Sequence, residues 1–242
     1  MLPLVVHRVS IELYSDLVNE YKNTYAEEPS IEQKNAWKKL LSLLNDLEFP
    51  SLWEYPISDG RADIIFVGKD RALVVEAKGW RSIKKIDEDI VEADGQVHLD
   101  PCYQLNDYVT KLNLFHSSGL KFYGALFLYN TNDYSSDQCK IIREVEELKD
   151  ELKQLTPGDV NVVLKGKLQL SRTFVEFVNT VKALKERDLA RRILPYGYGL
   201  SEKQLIILKN VMDALERGER KNFLINGNSG SGKSLLAVTI FL

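Results

Sequence analysis

The chain has 242 residues, 44% of them apolar and 28% charged, with a formal net charge of −3. That is enough apolar material for one good core plus an appendage, and the acidic balance argues against a surface that coats nucleic acid non-specifically, though not against a local basic channel. Two cysteines, Cys102 and Cys139, fit a reducing cytosol rather than a disulfide framework. The opening Leu2-Pro-Leu-Val-Val6 is too short for a signal peptide and no apolar run approaches a membrane span, so a cytoplasmic protein is expected.

In chain order, the first segment has no firm pattern beyond a helix at 10–22. Ser30 followed by Gln33 reads as a capping box opening a helix over 30–46, with Trp37, Leu40, Leu41 and Leu44 as its apolar stripe. Glu32 sits in its first turn, where the helix dipole favours an acid in any case. A strand is expected near 51–56. Two β-rich runs, 62–67 and 72–77, then flank the polar turn Gly68-Lys-Asp-Arg71, which is a hairpin signal.

That hairpin carries the chemistry. If Val67 pairs with Ala72, Asp63 lies directly opposite Glu76, on one face. Lys78, two residues past Glu76, points the same way. Facing carboxylates repel, and a divalent cation between them removes the repulsion; oxygen ligands suit Mg²⁺ or Mn²⁺. Such a metal lowers the pKa of a bound water and binds a scissile phosphate, while Lys78 orients the water or offsets developing charge. The plain alternative is an amphipathic hairpin with a surface Glu/Lys pair.

A polar excursion follows over 80–99, with Arg81, Lys84 and Lys85 as candidate phosphate contacts or simply solvated charges. His98 precedes a helix over 102–115, where a structural hydrogen bond competes with a role at a phosphate. On that helix Gln104 and Tyr108 are four apart and share a face. Strand 121–129 is apolar enough to be central. A loop spans 133–137, a charged helix 141–155, a short strand 161–165 and a helix 171–188. Leu194-Pro-Tyr-Gly-Tyr-Gly199 is the best linker. It divides the chain into a first domain, 1–193, and a second, 194–242.

The second domain holds Gly227-Asn-Ser-Gly230-Ser-Gly232-Lys233-Ser234 after a short apolar strand and before an apolar helical run. This is the G-x-x-x-x-G-K-[ST] phosphate loop in its expected context. Backbone N–H groups would cradle phosphates, Lys233 would reach the β- and γ-phosphates, and Ser234 would ligate Mg²⁺. Only eight residues follow Ser234. The expectation is a truncated βα fragment, with ATP used by a longer protein and no hydrolysis by this chain alone.

The set Asp63, Glu76, Lys78 resembles the PD-(D/E)XK nuclease superfamily. The resemblance implies a restriction-endonuclease-like α/β core, a mixed sheet with a central antiparallel hairpin flanked by helices. It implies that Ala77 lends its backbone carbonyl to the metal, that Glu32 completes the site from the preceding helix, and that Gln104 and Tyr108, matching the Gln-x-x-x-Tyr pair of RecB-like nucleases, contact the substrate backbone. With Gln204, which resembles the adenine-reading glutamine of superfamily 1 helicases, the whole order is similar to Schlafen-helicase-like proteins. That implies a nuclease joined to an ATP-fuelled helicase acting on DNA, in repair or anti-phage defence. A catalytically silent nucleic-acid- or protein-binding module, or a nucleotide switch through Lys233, are the alternatives.

Overall fold

Six strands run side by side in the order β1-β2-β3-β4-β8-β9, in a computed structural model that describes residues 2–57, 60–87, 89–168, 202–219, 221–227, 233, 236–237 and 240. The strands are β1 (Leu4–Arg8), β2 (Glu48–Ile57), β3 (Gly60–Val67), β4 (Arg71–Lys78), β8 (Lys121–Leu128) and β9 (Lys140–Ile142). The first four pair antiparallel. β8 lies parallel to β4, and β9 parallel to β8. The sheet is therefore mixed, and the fold is mixed α/β.

Helices cover both faces, which is why the central strands read as nearly continuous apolar runs rather than alternating ones. On one face α1 (Leu13–Tyr25), α2 (Ile31–Leu43) and α4 (Val145–Lys153) close a core around Trp37, Leu41, Trp53, Phe66 and Phe127. On the other, α3 (Pro101–Phe115) and α5 (Val160–Leu164) close a second core around Leu52, Ile65, Val74, Leu105 and Leu126. The Ser30 cap forms as expected, its side chain accepting from Gln33 N. α3 is the crossover that parallel pairing of β4 and β8 requires. Its N-cap Asp100 accepts from the N–H groups of Cys102 and Tyr103.

Three expectations are corrected here. The excursion 80–99 folds into a small antiparallel sheet, β5 (Ile83–Asp87), β6 (Ile90–Ala93) and β7 (Gln96–Leu99). Its Asp94-Gly95 turn has positive φ at both residues, 49° and 79°, the geometry that makes Asp-Gly a hairpin turn. The stretch 161–165 is not a strand: α5 runs there, because Asp159 caps it by accepting from Asn161 N and Val160 and Val163, one helical turn apart, are buried. Cys102 and Cys139 are not free thiols but a disulfide, with Cα atoms 5.3 Å apart. The fold brings them together across 37 residues, a separation that leaves no local sign in the sequence.

The chain divides into two compact units, 1–169 and 170–242. In the second, α6 (Glu202–Glu216) matches the expected helix and carries Gln204. The expected strand before the phosphate loop does not form: 221–227 is irregular and pairs with no strand among the described residues. Helix 171–188 and the linker 194–199 lie outside the described residues. Among the described residues no helix is long and apolar enough to cross a membrane.

Candidate functional site

The hairpin register is the one that sets two acids opposite each other. Val67 pairs with Ala72 and Ile64 with Val75, and the next step along brings Asp63 to Glu76. Asp63 Oδ2 accepts the backbone N–H of Ala77 at 2.7 Å. Lys78 Nζ donates to Glu76 Oε1 at 2.8 Å. Glu76 is only 2% exposed. Its second oxygen, Oε2, is buried with no hydrogen-bond partner, an arrangement that costs free energy unless the carboxyl is protonated or meets a cation.

A third carboxylate approaches from β2. Trp53 pairs with Ile64 and Tyr55 with Ala62, so Glu54 stands across from Asp63. In a regular strand Trp53 and Tyr55 would share a face, yet Trp53 belongs to the α2-side core and Tyr55 to the α3-side core. The strand turns over at Glu54, whose φ is 56°. A non-glycine residue in that left-handed region is strained, and the strain is held by what surrounds it. Glu54 Oε1 accepts from Trp37 Nε1 at 2.6 Å and from Gln33 Nε2 at 3.2 Å. Its Oε2 lies 3.2 Å from Arg61 Nε. Arg61 itself packs on a tyrosine pair, 4.9 Å from the Tyr21 ring centre and 5.0 Å from that of Tyr25.

Burial and mutual repulsion set the charge state. Burial first, then Asp63 beside it, pushes the Glu76 carboxyl up to about 8. Burial and Asp63 likewise push Glu54 up to about 7, against the opposing Trp37 hydrogen bond and Arg61. Asp63 is raised by burial, against the pull of Lys78, the Ala77 N–H and Arg61. The three acids form one electrostatic unit in which each resists the ionisation of the next.

Glu54 and Asp63 line a cleft of about 930 Å³, together with Gln33, Trp37, Lys78 and Trp80 among others, while Glu76 is buried behind it and is not part of the lining. Glu32, expected to complete the site, is exposed on the cleft wall, and its neighbour Gln33 makes the inward bond. Ala77 is held to Asp63 through its N–H and also lines the cleft. Gln104 and Tyr108 are brought together: Gln104 Nε2 donates to Tyr108 Oη at 3.0 Å. They lie outside the cleft lining, with the Tyr108 ring closed over Gly60 at the start of β3. In the second unit Lys233 Nζ donates to Gly227 O at 2.8 Å. Gly230, Gly232 and Ser234 lie outside the described residues.

Sequence reasoning missed Glu54. Its only signal was an acid in an apolar strand, with nothing to announce the turn-over that aims it at Asp63. Among the described residues no group of three or more His, Cys, Asp or Glu side chains is gathered closely enough to hold a metal ion as it stands. No protein-family model, curated protein or solved structure matches the chain.

Proposed function

We propose that the chain is a metal-dependent nuclease with a restriction-endonuclease-like core, hydrolysing phosphodiester bonds of DNA, and that it forms the N-terminal part of a helicase–nuclease. The observation that carries this reading is the Asp63–Glu76–Lys78 set on two adjoining strands, with Asp63 and Lys78 lining an open cleft and Glu76 bonded to Lys78. The donor set is oxygen alone, which fits Mg²⁺ or Mn²⁺, and the unpartnered Glu76 Oε2 is a buried oxygen that a cation would satisfy. Asp63 and Glu76 would hold the ion, with the Ala77 carbonyl and Glu54 as further donors. A bound Mg²⁺ or Mn²⁺ would supply an activated water and neutralise phosphate charge. Lys78 then contributes a fixed positive charge beside the acids, where it orients water and stabilises charge on the phosphate oxygens. Trp37, Gln33 and Arg61 keep Glu54 in place beside Asp63.

The test is incubation with Mn²⁺ and, separately, supercoiled plasmid, linear duplex, single-stranded DNA and RNA. Cleavage is expected for the natural chain and not for Asp63→Asn or Lys78→Ala. Equal cleavage by all three would exclude this site.

A second reading is a silent fold that binds nucleic acid without cutting it. It is favoured by the internal neutralisation of the acids, with Lys78 on Glu76 and the Ala77 N–H on Asp63. Calorimetry decides between them: Mn²⁺ uptake lost in Asp63→Asn belongs to the nuclease, and no uptake to the silent fold. The Gly227–Lys233 motif would serve ATP phosphates, with Gln204 as the candidate for reading adenine.

A further inference from the structure

Beside the acids, the cleft carries an aromatic wall. Trp80 and His98 both line it, with ring centres 4.9 Å apart and planes 33° from parallel. Lys78 Nζ, which holds Glu76, lies 5.3 Å from the centre of the Trp80 ring. One ammonium group thus touches both the acid cluster and the aromatic pair. The wall is also fixed in place. Asp94, in the β6–β7 turn, accepts the backbone N–H groups of Arg81 at 3.1 Å and Ser82 at 3.0 Å. Asn130 Nδ2 donates to Gly79 O at 3.0 Å. The Tyr129 side chain packs on Gly79, where a Cβ would fall 2.4 Å from its hydroxyl and would have to displace it. Two separate segments, the β6–β7 turn and the stretch after β8, therefore hold the segment that carries Trp80.

An aromatic surface beside a fixed positive charge is the arrangement that single-stranded nucleic acid binds: the backbone follows the cation and the base stacks on the ring. A paired base cannot offer its face to such a wall without leaving the duplex. We propose, resting on the nuclease reading above, that Trp80 and His98 form the stacking wall for an unpaired base next to the scissile phosphate. Single-stranded nucleic acid is then the substrate class of this cleft, and exposed Arg81 follows its backbone.

The test uses the full chain in Ca²⁺ and fluorescence anisotropy. The probes are a short labelled single strand, the same strand without bases, and a blunt duplex. Trp80→Ala, Trp80→Phe and His98→Ala are compared with the natural chain, each with its melting temperature. The natural chain is expected to lose about tenfold in affinity when the bases are removed, the effect of one stacked base. Trp80→Ala should lose as much on the base-bearing strand and little on the abasic one, and Trp80→Phe should recover most of the loss. A purely structural Trp80 would weaken both strands alike. Equal affinity for the two strands, tighter binding of the duplex, or no binding at all would overturn the proposal. Base-dependent binding without any cleavage would sink the nuclease reading and leave the wall standing. Metal-dependent cleavage with base-independent binding would do the reverse.

Discussion

At the scale of single residues, the site is a study in how burial makes acids reluctant to ionise. Glu76 holds its proton in the folded chain up to about 8, against an ordinary 4.5. Between those values the folded state binds more protons than the unfolded one, so stability falls as pH rises. Below 4.5 both states are protonated and the group contributes nothing to the slope. Glu54, raised to about 7, adds in the same direction. The expected outcome is a melting temperature, measured in chelator, that drops from pH 5 to pH 8. Glu76→Gln, which cannot ionise, should flatten that drop; an unchanged slope would place the proton uptake elsewhere. Asp63, Glu76 and Lys78 were legible in the sequence because a tight hairpin fixes register from its turn outwards. Glu54 was not legible, because its approach depends on one left-handed residue in β2. Glu32 and Gln33 are adjacent in the first turn of α2, and sequence alone gave no reason to choose the amide as the inward one.

At the scale of elements, local signals and tertiary pairing share control. The hairpin, α2, α3 and β8 follow from periodicity, caps and turn residues that agree with one another. The three-stranded sheet over 83–99 was hidden because its strands are four or five residues long and mostly exposed, although Asp94-Gly95 marked its turn. The β-branched run at 160–164 became a helix once Asp159 capped it. α3 offers the clearest energetic prediction. Its cap Asp100 is fully buried and also accepts from the Tyr134 hydroxyl, at 2.9 and 2.8 Å to its two oxygens. Asp100→Ala removes a helix cap, about 1 kcal/mol, and takes from the buried Tyr134 hydroxyl its carboxylate acceptor, roughly 1–3 kcal/mol more. Urea unfolding should show a loss of about 2–4 kcal/mol by the same accounting. Tyr134→Phe, which removes only the hydroxyl, should lose less. Equal losses would mean that the cap contributes nothing.

At the scale of the whole molecule, one cross-link and one boundary organise the chain. The Cys102–Cys139 disulfide joins the start of α3 to the segment before β9, closing a 37-residue separation. Loop entropy for that span corresponds to about 3–4 kcal/mol. Reduction should lower the urea midpoint without changing the number of transitions. The boundary at Gln169 follows the end of the two cores. Among the described residues, every member of the two core clusters, and every partly buried hydrophobic residue packed against them, lies between Leu2 and Leu168. The acids, Lys78, Trp80 and His98 all fall inside the same unit. A chain ending at Gln169 therefore keeps both helix-covered faces of the sheet and the whole cleft. It should unfold in one cooperative transition and bind single-stranded DNA as the full chain does. Lys233→Ala in the full chain should leave that binding unchanged, because the phosphate loop belongs to the other unit. A 1–169 chain that unfolds without cooperativity would show that 170–242 contributes to the fold of the first unit. A chain that folds but loses binding would move part of the nucleic-acid surface into the second unit.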